Sequence, residues 1–132
     1  MPNPVAHFEI YGDNPEKLGD FYKGVFGWEI KDAGVPGQQY WLIKTVPTDE
    51  KGAPTTPGGI NGGLMKRPMP DSHNWISYVT VASLDTTVEK AKSLGATVIR
   101  PKSAVPQQGW FAILTDPEMN TFAVWQDDPK AA

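Results

Sequence analysis

From Val5 to Tyr11 the chain reads VAHFEIY, in which residues of opposite character alternate with the period of a half-buried strand. Asp13-Asn14-Pro15 then predicts a helix start, with Asn14 as the cap and Pro15 in the first helical position. Leu18, Phe21, Tyr22 and Val25 recur at helical spacing, and Gly27 supplies the stop. WEIKDAG, QQYWLIKT and GGINGGLMKRP follow as strands, the last loosened by its glycines. After RPMPDSHN the pattern starts again. NWISYVTV predicts a strand and SLDTTVEKAKSLG a helix whose inner stripe is Val88, Ala91 and Leu94, with Gly95 as its stop. ATVIR, GWFAILTD and NTFAVWQ complete the set. The order β-α-β-β-β thus occurs twice, over about 4–68 and 72–127, in a single α+β domain of residues 1–132, and repetition at half length implies two similar units joined side by side. The loop from Pro47 to Pro57 and the tail DDPKAA are expected to be mobile.

Composition narrows the chemistry. The 132 residues are enough to bury roughly two thirds of the unfolded surface in one domain. With no cysteine, disulfides, thiolate metal sites and cysteine nucleophiles are excluded, and a cytoplasmic location is expected. The net charge of −3 and the lack of any basic cluster beyond Lys66-Arg67 argue against nucleic acid. The N-terminus lacks a secretion signal, and no apolar run approaches the roughly 18 residues that cross a bilayer, so no membrane partner is expected. The glycine pairs Gly58-Gly59 and Gly62-Gly63 lack the context of a phosphate loop, and there is no GxSxG.

Alternation sorts the strand residues by face. Phe8, Ile10, Val79, Val81, Phe122 and Val124 suit a helix-covered side. His7, Glu9, Tyr11, Ile76, Tyr78, Thr80, Ala123 and Trp125 fall on the other. His7 beside Glu9 is the chemical focus, either as metal ligands or as an acid/base pair. Trp125 and Tyr78, with Trp41 and Trp110, are candidates to stack on a ring or sugar, whereas Trp28 closes the corner between helix and strand.

These motifs resemble the vicinal-oxygen-chelate superfamily, which includes glyoxalase I, extradiol dioxygenases, and fosfomycin and bleomycin resistance proteins. NPEKLGDFYKGVFGWEI carries the likeness in the first half, and SLDTTVEKAKSLGATVI with GWFAILTDPEMNTFAVWQ carries it in the second. FYxxxFGW at Phe21–Trp28 and GGLMKRP at Gly62–Pro68 match its uncharacterised glyoxalase-like branch. The resemblance implies mixed sheets that curve around a cleft with helices outside, a homodimer, and a first-strand metal ligand at His7. The matching second-half positions are Ile76 and Ala123, which cannot serve as ligands, so no metal is expected. The alternative is a divalent metal (Fe, Mn, Ni or Zn) held by His7, Glu9 and His73 in a lyase, isomerase or dioxygenase acting on vicinal oxygens. A third reading is a structural partner with a closed cleft. The favoured expectation is a small, partly apolar or aromatic ligand bound by His7, Glu9, Tyr11, Trp41, Ile76, Tyr78, Trp110, Ala123 and Trp125. The family turn at DPEMN normally carries glycine where Met119 stands, so either the turn is remodelled or Asn120 takes the strained position.

Overall fold

The computed structural model describes residues 2–70 and 73–132. Two compact units divide the chain: module 1 is His7–Trp75, and module 2 is Ile76–Ala132 with the N-terminal residues up to Ala6. Module 1 contains β1 (Val5–Gly12, which begins two residues earlier), α1 (Pro15–Phe26), β2 (Glu29–Asp32), β3 (Tyr40–Lys44) and β4 (Asn61–Lys66). Its strands lie in the order β2-β3-β4-β1, with β1 and β4 parallel and the other pairs antiparallel. Module 2 contains β5 (Ile76–Thr80), α2 (Leu84–Ser93), β6 (Thr97–Val105), β7 (Gly109–Thr115) and β8 (Thr121–Asp127). Its order is β5-β8-β7-β6, again with the outer pair β5 and β8 parallel. The chain is therefore α+β, and the twofold β-α-β-β-β order read from the sequence is present as two four-strand sets of matching topology. Among the described residues no helix is long and apolar enough to cross a membrane.

The first helix starts as its predicted cap requires, and the second is capped in the same way. Asn14 Oδ1 accepts from the Lys17 amide at 3.2 Å, and Gly27 ends α1 at φ 69° with its N–H on Lys23 O. Ser83 caps α2 by accepting from the Thr86 amide. The inner stripes differ from expectation. In α1, Pro15 and Gly19 are buried and Leu18 and Tyr22 pack on the core, whereas Phe21 and Val25 are 58% and 55% exposed. The 15-18-19-22 arc faces inward, with Gly19 set over Leu64 and Ile30, where a Cβ would make ordinary van der Waals contact. In α2, Leu84, Val88 and Ala91 face the core, but Leu94 stands at the C-cap, past the last full turn, and is exposed.

Each module has its own core on the helix side of its sheet. Ile10, Ile30, Ile43 and Leu64 form one, with Phe8, Tyr22 and Trp28 against it. Val81, Leu84, Ala112, Leu114 and Val124 form the other, joined by Val79 and Phe122. All six residues that alternation assigned to the helix side are found there.

Two segments expected to be mobile are tied by hydrogen bonds. The tail folds back on the β6–β7 turn, where the Gln107 amide donates to Ala131 O at 2.9 Å and the Asp128 amide to Gln108 O at 3.0 Å. The loop from Pro47 to Pro57 closes on itself through Asp49, whose side chain accepts from the Lys51 and Ala53 amides. In the DPEMN turn the strained position is Met119 itself, at φ 68°, and not Asn120. The Asp116 carboxylate holds that conformation by accepting from the Glu118 and Asn120 amides, and these bonds lower its pKa. Met119 is 77% exposed, so little packing is at stake. Met119→Gly is expected to stabilise the protein by about 0.5–1 kcal/mol, the left-handed penalty less the entropy of glycine. Thermal unfolding should rise by a few degrees; an unchanged or lower midpoint would contradict that account.

Candidate functional site

The helix-free face of module 1 carries a polar network built on β1. Alternation brings His7, Glu9 and Tyr11 to one side, opposite Phe8 and Ile10 in the core. In the parallel pairing with β4, His7, Glu9 and Tyr11 stand beside Asn61, Gly63 and Met65. On the far side of β4, Leu42 pairs with Gly63 and Tyr40 with Met65. Side chains on β3 and β1 are separated by a whole strand and normally would not touch. Gly63 removes the obstacle. A Cβ there would overlap the Tyr40 hydroxyl and ring, so the phenol lies across the bare strand and reaches Glu9.

The hydrogen bonds have assignable directions. Tyr40 Oη donates to Glu9 Oε2 and Tyr11 Oη donates to Glu9 Oε1, both at 3.0 Å. His7 Nε2 lies 3.2 Å from Tyr40 Oη and 3.7 Å from Glu9 Oε2. The single Tyr40 proton is engaged by the carboxylate, so the hydroxyl accepts from His7, and the imidazole carries hydrogen on Nε2. Glu9 is largely covered, with 13% of its side chain exposed, whereas that of His7 is 35% exposed. Burial pushes the Tyr40 pKa far above the ordinary phenol value, with the Glu9 charge and its hydrogen bond adding to the shift. The arrangement fixes four polar groups on one sheet face and leaves the imidazole partly open to solvent.

On module 2, Tyr78 pairs with Ala123 and Thr80 with Trp125, and these residues with Ile76 lie on the face away from Val79 and Val124. The Trp125 Nε1 donates to Asp127 Oδ1 at 2.7 Å, and its indole covers Gly109. Trp41 and Trp110 fall on the other faces. Trp41 pairs with Leu64 and packs on the Ile10 core; Trp110 packs beside Ala112 and Leu114, donates to Asp128 Oδ2 at 2.9 Å and has Lys102 Nζ 4.5 Å from its ring. Tyr40, not its neighbour Trp41, is the β3 aromatic beside Glu9.

The alternative metal set is not assembled. His73 Nδ1 is 3.1 Å from Arg67 Nη1, in a recess lined on the other side of the sheet by Ile10 and Leu18. Among the described residues no three His, Asp or Glu side chains gather as a metal-binding group. His7 and Glu9 alone fall short of the roughly three protein ligands such a centre uses, and both Glu9 oxygens already accept phenolic protons. The residues described do not fit the divalent metal of the alternative reading.

Comparison with known proteins places this geometry in a family. The glyoxalase-like domain matches residues 9–125. "Putative glyoxylase CFP32" of Mycobacterium tuberculosis is 31% identical over 124 residues, covering 92% of this chain and 43% of that protein. The anthracycline biosynthesis protein DauV of Streptomyces sp. is 26% identical over 137 residues, covering 95% of this chain and 47% of its own. The chain thus spans about half the length of the curated relatives it matches. A variant of Streptomyces coelicolor methylmalonyl-CoA epimerase, bound to 2-nitronate-propionyl-CoA, superposes with a TM-score of 0.68 at 13% identity, over 100% of this chain and 99% of that one. Methylmalonyl-CoA epimerase from Mycobacterium tuberculosis gives 0.65 at 13% identity, over 94% and 87%. Those two structures share the fold; the family match over most of the chain carries the assignment. With its repeated β-α-β-β-β modules and its matched span, the protein belongs to the glyoxalase-like domain family of the vicinal-oxygen-chelate superfamily.

Proposed function

We propose that this chain binds a small, partly apolar or aromatic molecule against the helix-free faces of its sheets, using hydrogen bonds from a fixed polar network in place of a three-ligand metal centre. The observation that carries this reading is the His7–Tyr40–Glu9–Tyr11 network across the bare Gly63 backbone. Such a network costs little to order on binding because it is already ordered. His7 is the member most open to a ligand, and Tyr40, Glu9 and Tyr11 hold it in place. On module 2, Ile76, Tyr78, Ala123 and Trp125 present an apolar helix-free face of their own that suits an aromatic ligand. The relatives named for anthracycline biosynthesis and for binding a CoA ester support an organic ligand. By analogy with resistance members of the superfamily, the role is sequestration or carriage in the cytoplasm by a homodimer.

The rival reading is a metal-dependent lyase, isomerase or dioxygenase, and the proximity of His7 to Glu9 on β1 favours it. One experiment separates the two. Untagged protein produced with iron, manganese, nickel and zinc is expected to hold far less than one metal per chain, and aromatic ligands that change its tryptophan fluorescence should bind roughly tenfold more weakly to Tyr40→Phe and Glu9→Gln. Close to one metal per chain, lost in His7→Ala, would overturn the proposal in favour of the enzyme.

A further inference from the structure

We propose a second ligand site on the helix side of module 1, for a small elongated molecule with an aromatic ring at one end and an acid group at the other. The site is a recess of about 460 Å³ between α1, the ends of β1 and β4, and residues 73–75, a volume within the range of small-molecule sites. Ile10, Tyr11 and Gly12 at the end of β1 line it together with α1, and Ile10 and Leu18 place it on the core side of β1, opposite the side chains of His7 and Glu9.

The recess is graded along α1. Asn14, Lys17, Leu18, Phe21 and Tyr22 share one helix face, and residues 14 and 22 are separated by roughly 12 Å along the axis. At the N-terminal end are Asp13, Lys17, Arg67 and His73. Arg67 is fixed there, with Nε 3.2 Å from Asp13 Oδ1 and Nη1 3.1 Å from His73 Nδ1, and its side chain is only 13% exposed. Lys17 and Arg67 against Asp13 leave the described lining with one net positive charge. At the other end, Phe21, Tyr22 and Trp75 form an aromatic wall.

That wall is built but open. The Trp75 ring stacks on Phe8 at 5.5 Å and meets Tyr22 edge-on at 5.9 Å, which holds it upright. It nevertheless remains 50% exposed, and Phe21 58%. Fixed aromatic surface facing water beside a positively charged end suits an amphipathic aromatic acid. The sheet-face network instead presents the half-open His7 imidazole, with the Glu9 carboxylate covered and engaged by two phenols, so the two sites offer a ligand different polar groups.

The probe is 4-phenylbutyrate, with 4-phenylbutanol as its neutral counterpart, titrated into 15N-labelled protein and followed by amide and indole chemical shifts. Saturable shifts at Lys17–Tyr22 and at the Trp75 indole are expected in the millimolar range. Lys17→Glu places an acidic residue in the first turn of α1, which the helix tolerates. It should weaken phenylbutyrate by roughly three- to tenfold and leave phenylbutanol unchanged. Phe21→Ser, at an exposed position, should weaken both. Shifts centred on His7, Glu9 and Tyr40, no saturation by tens of millimolar, or equal losses for acid and alcohol in Lys17→Glu would each overturn the proposal.

Discussion

Gly63→Ala is expected to destabilise the protein by about 2.5–6 kcal/mol and to break the link between Tyr40 and Glu9, even though it adds a single methyl group to a strand. The added Cβ would occupy the space of the Tyr40 hydroxyl and ring. The phenol must then leave, and Glu9 loses the charge-assisted hydrogen bond from Tyr40, worth about 1.5–3 kcal/mol, on top of an overpacking cost of about 1–3 kcal/mol. Ordinarily alanine in place of a strand glycine is favourable, because glycine loses more backbone entropy on folding. The sign of the change therefore tests the geometry. Chemical denaturation of Gly63→Ala, Tyr40→Ser and the double variant forms a cycle; the double variant should cost much less than the sum, since the serine leaves nothing for the methyl group to strike. Additive losses, or a stabilised Gly63→Ala, would mean that Tyr40 does not lie across β4.

The second large effect appears in alkali. Tyr40 in the folded protein titrates far above the value of 10.0 for a free phenol, first because it is buried and next because Glu9 is beside it. Above pH 10 the unfolded chain releases the Tyr40 proton while the folded chain keeps it, so folding binds a proton and stability falls as pH rises. The contribution is fully present below pH 10 and is lost at about 1.4 kcal/mol per pH unit above it, or roughly 3 kcal/mol by pH 12. Other tyrosines ionise in the same range, so the informative quantity is the difference between the native protein and Tyr40→Phe. The two stability curves should converge as pH rises from 10 to 12. Parallel curves would show that the phenol ionises freely in the folded state.

Much of this was legible in the sequence, and the failures have identifiable causes. The helix-side residues of β1, β5 and β8 follow from alternation because those strands are long and of opposite character on their two faces. β3 reads YWLIK, with large apolar side chains on both faces, so alternation alone cannot say which side Tyr40 takes. The missing clue lay on another strand. The Gly62-Gly63 pair in β4 marks a place where neighbours approach across bare backbone, and only its pairing register shows that Tyr40 and Glu9 are those neighbours. Phe21 and Val25 share the helical spacing of Leu18 and Tyr22 but lie outside the buried arc, because spacing fixes which residues can face inward and packing on Ile30 and Leu64 selects among them. The tail and the Met119 turn depend on Asp116, Asp128 and Ala131 acting at short range on backbone amides, contacts that composition does not encode.

The aromatic cluster has an optical consequence. Tyr22 and Trp28 stack at 5.3 Å, Trp28 and Trp75 stand 6.2 Å apart at 61°, and both pairs belong to module 1. Chromophores held this closely at fixed angles couple their electronic transitions, so module 1 carries an intrinsic circular-dichroism signature of its own packing. Trp110 and Trp125 of module 2 instead donate to Asp128 and Asp127, which leaves their indole absorption sensitive to those carboxylates. The order or loss of each half can thus be followed in the unlabelled native chain, one by its optical activity and the other by its absorption edge.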